Sequence, residues 1–386
     1  MSELSYLEKL LDGVKVEWKT LEKVLKRTKG TKITAGQMKA LHKDNAPLKI
    51  FAGGKTVAFV DFKDIPEKDI NREPSIIVKS RGIIEFEYYD KPFSHKNEMW
   101  SYHSNNDAIS IKYIYYFLKI NEGYFQKIGG KMQMPQIATP DTDKFEVPIP
   151  CPDNPEKSLA IQSEIVRILD KFTALTAELT AELTAELNMR KKQYNYYRDQ
   201  LLNLEGRENT REMRIGDIYD FQYGTGNTIP KSGGQYPVYG SNGIVGSHDK
   251  YNSEDSPVIG HIGAYAGIVN WGQGKHFVTY NGVICRHKSK EVLQKYAYYL
   301  LLLQDFGSKS NSASQPFVSY NILNAPIVLV PPLQEQARIV AILDKFDTLT
   351  NSITEGLPRE IELRQKQYEY YRDLLFSFPK PETVSN

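Results

Sequence analysis

Two short segments of this 386-residue chain occur twice, and their spacing constrains the fold more than any other feature. Ile168–Phe172 and Ile342–Phe346 both read Ile-Leu-Asp-Lys-Phe. Arg190–Asp199 and Arg364–Asp373 share the pattern Gln-Tyr-x-Tyr-Tyr-Arg-Asp. In both pairs the second copy lies 174 residues after the first, so nothing has been inserted or lost between the two landmarks. The spacing predicts two helical arms of equal length.

The arms, from about residue 159 to 204 and from 334 to 378, are rich in strong helix formers. Apolar residues recur in them at spacings of three and four, which forms one stripe on a helix. The two stripes comprise Ile165, Ile168, Leu169, Phe172, Leu175, Leu179, Leu183 and Leu187, and Ile339, Ile342, Leu343, Phe346, Leu349, Ile353, Leu357 and Ile361. A stripe that is kept while its surroundings change favours two helices packed as an antiparallel coiled coil. Gly356-Leu357-Pro358 should bend the second arm, because proline removes a backbone donor and clashes with the preceding turn.

Two globular segments alternate with the arms. Each contains short β-like runs separated by Gly and Pro and one helix-like run, at 111–120 and at 291–304. Residues 6–13 resemble the end of the first arm, which indicates a circular organisation with neighbouring chain ends. The predicted fold is α+β, with two similar α+β domains separated by the two long helices and related by pseudo-twofold symmetry. The predicted bounds are 1–152 for the first domain (with an arm-end segment at 1–15), 153–205 for the first helical spacer, 206–332 for the second domain, 333–378 for the second spacer and 379–386 for a C-terminal tail.

The composition limits the possible classes of protein. Hydrophobic residues make up 40% and charged residues 25% of the chain. No apolar run reaches the roughly 18–20 residues that span a bilayer, and the N-terminus lacks a signal-peptide pattern, so we expect a cytoplasmic protein without membrane contact. The net charge is only +2, so a nucleic-acid surface would be a local patch. Cys151 and Cys285 have no metal-ligand spacing, and no metal site is predicted.

Motifs of catalysis are missing from the sequence. Gly53–Thr56 lacks the earlier glycine of a phosphate loop, and there is no Gly-x-Ser-x-Gly elbow or His-x-x-x-His pair. Asn154–Lys157 lacks the second proline and the aromatic residue of the methyltransferase signature. Carboxylates at Asp61, Glu85 and Glu87 are more typical of solvated faces than of a nuclease. We therefore predict no catalytic residues.

Several loops of the two globular segments combine glycines with cations, amides and hydroxyl groups. Such side chains suit base edges and phosphates, because Arg and Lys pair with guanine while Asn and Gln pair with adenine. The candidate DNA-binding residues are Gly53, Gly54, Lys55, Lys79, Ser80, Arg81, Lys131, Gln133, Ser241, Asn242, His261, Tyr280, Asn281, Ser312, Ser314 and Gln315. Ordinary turns also favour Gly, Ser and Asn, and this alternative stays open.

The repeated Arg, Lys and Tyr residues near the arm ends suggest a partner that docks twice. Tyr and Arg are favoured at protein interfaces. The candidate partner-binding residues are Arg190, Lys192, Tyr194, Tyr197, Arg198, Arg364, Lys366, Tyr368, Tyr371 and Arg372. Contact with the DNA backbone and a plain helix surface are the alternatives.

With these motifs the chain resembles the specificity subunit of type I restriction-modification systems, most closely the IC subfamily. The resemblance covers the whole length. It rests on two variable domains alternating with two helical regions, on the two repeated motifs above, and on three tandem Thr-Ala-Glu-Leu units at Thr176–Leu187. It implies a non-catalytic subunit whose two target-recognition domains each read half of a bipartite DNA sequence.

The resemblance also implies partners. Two modification (methyltransferase) subunits would dock on the helical regions, and restriction (motor-nuclease) subunits would join for cleavage of double-stranded DNA. S-adenosylmethionine, ATP and magnesium would belong to those partners, with no cofactor on this chain. The Thr-Ala-Glu-Leu units would then set the spacing of the half-sites. A coiled-coil scaffold and an autonomous DNA-modifying enzyme are the competing interpretations.

Overall fold

The computed structural model describes residues 6–131, 133–226, 229–231, 233–310, 315–352 and 354–379. The chain divides into two compact units. Unit 1 comprises Met1–Ala181 with Glu362–Asn386, and unit 2 comprises Glu182–Ile361. Within the described ranges, no helix combines the length and the apolar character needed to cross a membrane.

Unit 1 combines short helices with three small sheets. Its helices are α1 (Tyr6–Leu11), α2 (Leu21–Val24), α3 (Ala35–Leu41), α4 (Ile111–Ile120), α5 (Glu122–Gly129), α6 (Thr139–Asp143) and the first part of α7 (Pro155–Leu202). Its strands are β1 (Val16–Thr20), β2 (Lys26–Lys29), β3 (Leu48–Phe51), β4 (Val57–Val60), β5 (Ser75–Lys79), β6 (Glu85–Tyr89), β7 (Phe93–His95), β8 (Trp100–His103) and β9 (Glu146–Pro150). The strand orders are β1-β9, β2-β8-β5-β6 and β4-β3-β7. The β3–β7 pair is parallel and the other pairs are antiparallel.

Unit 2 repeats this plan with one larger sheet. Its helices are the second part of α7, α8 (Ile215–Ile218), α9 (Gln294–Leu302), α10 (Tyr320–Asn324), α11 (Leu333–Asn351) and the start of α12 (Gly356–Leu375), which continues into unit 1. Its strands are β10 (Arg211–Arg214), β11 (Tyr219–Tyr223), β12 (Tyr236–Gly240), β13 (Gly243–His248), β14 (Ser253–Gly260), β15 (Val269–Val278), β16 (Gly282–His287) and β17 (Ile327–Val330). The strand orders are β10-β17 and β11-β16-β14-β15-β12-β13, with β12 and β15 parallel.

The ten-residue strand β15 of unit 2 makes the pairings that two separate strands, β6 and β7, make in unit 1. Its first part pairs with β14 and its last part runs parallel to β12. In unit 1, β6 pairs with β5 and β7 runs parallel to β3, and Asp90–Pro92 separates them. Proline cannot donate a ladder hydrogen bond, which favours a strand end here. The prediction of two similar α+β domains is confirmed.

The long helices pack against each other in antiparallel fashion within each unit. In unit 1, Phe172 of α7 meets Tyr371 of α12 with ring centroids 5.8 Å apart, and Thr173 Oγ1 lies 3.0 Å from Tyr368 Oη. In unit 2, Phe346 of α11 meets Tyr197 of α7 at 5.6 Å. The two aromatic contacts involve equivalent residues of the repeat.

The apolar stripes are buried where they meet a domain core. Ile165 and Leu169 are fully buried in unit 1, as are Ile339 and Leu343 in unit 2. Leu175 of the first stripe is 53% exposed, whereas the equivalent Leu349 of the second stripe is half-buried. Ile353 lies outside the described residues.

The second arm is interrupted beside Gly356-Leu357-Pro358, where the sequence predicted a bend. Helix α11 ends at Asn351 and α12 begins at Gly356, so the arm consists of two helices and not of one helix kinked at Pro358. Gly356 has a φ of +77°, and a Cβ at this position would lie 2.5 Å from Thr348 O. Pro358 then lies in the first turn of α12, where its missing N–H costs no helical hydrogen bond.

Both ends of the chain contribute to the core of unit 1. Leu7 and Leu11 of α1 belong to the same hydrophobic cluster as Leu375 and Phe376. The indole Nε1 of Trp18 donates a hydrogen bond to Pro379 O at 3.0 Å. The described segments nearest the two chain ends are therefore neighbours, as expected, while residues 1–5 and residues 380–386 of the predicted tail lie outside the described ranges.

A buried glutamine joins each arm to its domain. Gln162 accepts from Ser110 N at 2.9 Å and donates to Ala108 O at 3.0 Å. Gln336 of α11, the equivalent residue, accepts from Leu293 N at 2.7 Å and donates to Glu291 O and Pro331 O. Both side chains are fully buried. Because an unpaired buried amide group is costly, these bonds fix the direction in which each arm leaves its domain.

Candidate nucleic-acid interface

In unit 1, four loops meet at one edge of the sheets. Strands β3 and β7 are parallel and end together, and Lys96 N donates to Phe51 O at 2.9 Å. Ser80, which follows β5, donates its hydroxyl to Glu98 O at 2.8 Å. Ile137 N donates to Ser80 O at 3.0 Å. The loops at 52–56, 80–84 and 96–99 and the described residues 133–137 are thereby brought together.

Several of the predicted DNA-binding residues are exposed on these loops. Gly53, Gly54 and Lys55 form the tip of the β3–β4 hairpin, and Gly54 has a φ of +65° that favours glycine. Arg81 is exposed, and its backbone forms a bridge with Gln136. Lys131 and Gln133 are exposed on the adjoining loop. This edge therefore presents cations and an amide to solvent.

Lys79 and Ser80 point into the protein. Lys79 is 6% exposed, and its Nζ lies 2.6 Å from Glu85 Oε1 and 2.8 Å from Glu87 Oε2 across the β5–β6 hairpin. Burial alone would lower the pKa of the Lys79 ammonium, but the bonds to both carboxylates raise it above its usual value. Its charge is compensated within unit 1.

In unit 2, the predicted residues also meet at the ends of strands. Ser241 and Asn242 form the β12–β13 turn, and Ser241 Oγ donates to Ile262 O at 3.0 Å. His261 follows β14, and its backbone N–H donates a hydrogen bond to Asn281 O at 2.8 Å. Tyr280 lies in the same β15–β16 turn as Asn281 and is 47% exposed. The loops that carry these five residues are therefore neighbours.

The two units have the same two backbone hydrogen bonds at this edge, which we call the backbone frame. Gly82 N donates to Pro135 O at 2.9 Å in unit 1, and Gly263 N donates to Pro316 O at 2.8 Å in unit 2. The bond from Ile137 N to Ser80 O likewise has a counterpart from Val318 N to His261 O at 2.9 Å. Ser80 and His261 are thus equivalent positions. Gln315 is exposed beside this frame, whereas Ser312 and Ser314 lie outside the described residues.

Sequence reasoning missed two aromatic residues at the edge of unit 2. The ring of Tyr223, at the end of β11, stacks on His261 at 4.1 Å and on Tyr320 at 4.2 Å. Tyr223 and Tyr320 are 97 residues apart. Tyr223 directly precedes the turn-like Gly224-Thr225-Gly226, but only the fold shows that its ring lies beside Tyr320.

Most predicted partner-binding residues make contacts within their own unit. The contacts described above place Tyr197, Tyr368 and Tyr371 between the arms. Tyr194 is also packed there: it is 6% exposed, and its ring centroid lies 6.4 Å from that of Phe346. Each of Arg198 and Arg372 pairs with the aspartate that follows it at 2.8 Å. Arm packing therefore accounts for much of this repeated motif.

Other residues of the arms remain exposed in both copies. Tyr196 is 61% exposed and Tyr370, its equivalent, is 64% exposed. Seven residues before them, Met189 and Leu363 are 49% and 43% exposed. Of the predicted residues, Arg190 donates a hydrogen bond to Gln193 at 3.1 Å, and Arg364 donates one to Gln367 at 3.1 Å. Lys192 lies between Met189 and Tyr196 in the chain, Lys366 lies between Leu363 and Tyr370, and both lysines are exposed.

Among the described residues, no group of three or more His, Cys, Asp or Glu side chains is arranged to hold a metal ion. Cys285 is fully buried, and burial raises the pKa of its thiol well above the usual value. A thiol in that state is a poor nucleophile.

The comparisons with known proteins identify the family. The family described as "Type I restriction modification DNA specificity domain" matches residues 15–189 and 207–363. The chain is 40% identical to the EcoR124I/EcoR124II type I restriction enzyme specificity subunit of Escherichia coli over 424 aligned positions, covering 100% of both chains. It is 38% identical to the EcoprrI specificity subunit of Escherichia coli, covering 92% of this chain and 93% of that one.

Two solved structures share the fold. The S subunit of a type I restriction-modification system from M. genitalium has a TM-score of 0.52 at 18% identity, covering 96% of this chain and 98% of that chain. A chain from a study of complex assembly and conformational transition of the type I R-M system has a TM-score of 0.59 at 14% identity, covering 94% and 97%. With the full-length sequence matches, these likenesses lead to one assignment: the chain belongs to the type I restriction-modification DNA specificity subunits and is itself non-catalytic.

Proposed function

We propose that each globular domain reads one half of a bipartite double-stranded DNA target, with domain bounds of 1–152 and 206–332. The repeated loop edge is the observation that carries this proposal. The backbone hydrogen bonds are the same in both units, but the exposed Arg81 of unit 1 is replaced by the half-buried Ile262 in unit 2. Because base edges are read by side chains, one frame with two side-chain sets suits two different half-sequences.

The side chains on the two edges differ in character. Unit 1 offers Lys55, Arg81 and Lys131, which suit phosphates and guanine edges. Unit 2 offers hydroxyl and amide groups at Tyr280, Asn281 and Gln315, which suit hydrogen bonding to base edges. Lys79 and Ser80 support the loops from inside, and we assign them no DNA contact.

The helical regions, 153–205 and 333–378, then separate the two domains and set the spacing of the half-sites. Each is joined to a domain through its buried glutamine, Gln162 or Gln336. A stiff connection of this kind would transmit the length of the helical region to the distance between the DNA-reading edges. The three Thr-Ala-Glu-Leu units supply an adjustable part of that length.

The exposed residues that recur in both arms support docking of two copies of one methyltransferase subunit. We place Tyr196 with Lys192 at the centre of one face and Tyr370 with Lys366 at the centre of the other. Exposed tyrosines are favoured anchors of protein interfaces. The intramolecular packing of Tyr194 and Tyr371 gives those residues a supporting role.

The chemistry belongs to the partners in this proposal. Methyltransferase subunits would bring S-adenosylmethionine, and restriction subunits would bring ATP and magnesium. The absence of catalytic motifs from the sequence of this chain is in keeping with that division. A cytoplasmic location, where such a complex meets DNA, remains a prediction.

Sequencing of methylated genomic DNA tests the proposal. Cells that produce the chain with its methyltransferase subunit should carry methylated adenines in one motif of two defined sequences separated by a fixed number of undefined base pairs. Cells that produce the methyltransferase subunit alone are the control and should lack the motif. A single uninterrupted motif, or none with both subunits present, would be incompatible with bipartite recognition.

A further inference from the structure

Four aromatic rings from four separate segments form one cluster at the loop edge of unit 2. Tyr223 lies between His261, at 4.1 Å and 24°, and Tyr320, at 4.2 Å and 14°. Tyr280 meets His261 edge-on at 5.2 Å and 79°. Stacked and edge-to-face pairs of this kind add stability beyond simple burial. The four rings therefore constitute a rigid feature of the edge.

Hydrogen bonds from neighbouring segments fix the rings in place. Tyr223 N–H donates to the hydroxyl of Tyr320 at 3.0 Å. His261 Nδ1 lies 3.1 Å from Tyr280 O, and since a carbonyl only accepts, Nδ1 is the donor. The backbone of His261 is bonded to Asn281 and Val318. The strand end, the β15–β16 turn and the loop before α10 are thus tied to one another.

Two of the four residues face solvent. Tyr280 is 47% and Tyr320 is 37% exposed, whereas His261 is 5% exposed. The Tyr320 hydroxyl accepts one bond from Tyr223, and its own proton has no acceptor within the described parts of the chain. A phenol in this state presents a hydrogen-bond donor and an apolar ring on a fixed support.

The cluster is specific to unit 2. Positions equivalent in the strand and loop pairing to Tyr223, His261 and Tyr320 hold Lys29, Ser80 and Thr139 in unit 1. No ring of unit 1 replaces them at those positions. An effect of the cluster on DNA recognition should therefore be confined to the half-site read by unit 2.

We propose that Tyr280 and Tyr320 contact the base pairs of the second half-site, and that Tyr223 and His261 are the residues that position them. This inference rests on the proposed function of residues 206–332 as the reader of one half-site. The phenol rings carry no charge, so they do not displace counterions from phosphates. Their contribution is to the choice of sequence, through hydroxyl contacts to base edges and apolar contacts to the thymine methyl group.

Binding measurements on the complex of chain and methyltransferase subunit test this. The target is first identified from methylated DNA, and duplexes with single base-pair changes are then titrated. Tyr280→Ala and Tyr320→Ala should lower the discrimination at one or more base pairs of the second half-site by about tenfold, the range of a typical mismatch effect. Discrimination in the first half-site and the dependence of binding on salt should not change.

Two substitutions of Tyr223 test its role in positioning Tyr320. Tyr223→Phe keeps the ring and the backbone N–H, and it should behave as the unaltered chain. Tyr223→Leu removes the stack and should reproduce the effect of Tyr320→Ala. Tyr251→Ala is the matched control, since Tyr251 is equally exposed, at 46%, but lies before the start of β14, whereas His261 of the cluster lies after its end.

Three results separate the possibilities. Unchanged discrimination in the second half-site with both Tyr280→Ala and Tyr320→Ala would overturn the inference, as would an equal loss in both half-sites. If the unaltered complex shows no bipartite preference, the proposed function fails instead. Should Tyr320→Ala not fold, as judged by thermal unfolding, Tyr280→Ala decides, because its ring lies on the surface.

Discussion

At the scale of single residues, burial decides which charged side chains are available to DNA. Lys79 and Arg81 are two positions apart, and the sequence predicted the same role for both. In the fold, the ammonium group of Lys79 forms ion pairs with the carboxylates of Glu85 and Glu87, whereas Arg81 is exposed. The carboxylates stand on the next strand, so the pairing depended on the register of the β5–β6 hairpin, which composition and turn signals do not reveal.

The ion pair of Lys79 predicts a pH dependence of stability. Burial alone would raise the pKa of the Glu87 carboxyl, but Lys79 and Lys49 lower it below its ordinary value of 4.5. A lowered pKa stabilises the folded state above about pH 4.5, and this stabilisation is lost as the pH falls through the folded-state pKa. Glu87→Gln should reduce the free energy of unfolding at pH 7 by about 1 kcal/mol and flatten its decline below pH 4.5.

Chemical denaturation between pH 7 and pH 3 measures both effects. Glu22→Gln is the control, since Glu22 is an exposed glutamate of the same unit. If Glu87→Gln and Glu22→Gln have the same pH profile, the pair with Lys79 contributes nothing to acid sensitivity.

Tyr196 and Tyr370 give a second prediction at this scale. If each is the anchor of one docking face, Tyr196→Ala or Tyr370→Ala should weaken the binding of one methyltransferase subunit by about 2 kcal/mol and leave the other unaffected. Native mass spectrometry counts the bound copies. Asn195→Ala and Glu369→Ala, at exposed neighbours, should still bind two. Full occupancy with the double variant Tyr196→Ala, Tyr370→Ala would rule out these faces.

At the scale of elements, the helices were the most predictable part of the fold. The period of the apolar stripe identified both arms, and α4 spans Ile111–Ile120 as the sequence indicated. The break between α11 and α12 was less predictable, because proline alone is compatible with a kink. The positive φ of Gly356 depends on the close approach of Thr348 O, a contact that exists only in the folded chain.

The Thr-Ala-Glu-Leu units give a prediction about an element. Deletion of Thr180–Leu183 removes about 6 Å of helix at 1.5 Å per residue. That length corresponds to about two base pairs at 3.4 Å each, or nearer one if the helix runs obliquely to the duplex. The undefined spacer of the methylated motif should shorten by one or two base pairs, with both half-sequences kept.

A length-matched variant controls for the sequence of the deleted unit. Replacement of Thr180–Leu183 by four alanines preserves the helix and should leave the spacer unchanged. Some loss of stability is expected from the deletion, because the two arms become unequal. A spacer that keeps its length after the deletion would show that the helix does not set the distance.

At the scale of the whole molecule, residues that are equivalent in the sequence repeat also make equivalent contacts in the two units. The Phe172–Tyr371 and Phe346–Tyr197 contacts, and the bonds of Gln162 and Gln336, occur once in each unit. The sequence offset of 174 residues predicted equal arms. The contacts recur at equivalent positions, although the first arm is the single helix α7 and the second is divided into α11 and α12. The loop edges proposed to read DNA were only partly predictable, since they assemble from loops that are distant in sequence and carry different side chains at positions such as Arg81 and Ile262.

Exchange of one domain tests most directly the central claim that the two domains read independent half-sites. In the chimaera, residues 206–332 are replaced by the aligned residues of the Escherichia coli EcoR124I/EcoR124II specificity subunit, which is 40% identical. Methylated DNA from cells that produce the chimaera with the methyltransferase subunit is then sequenced. The account predicts one new half-sequence, with the other half-sequence unchanged. Replacement of both half-sequences, or retention of both, would contradict it.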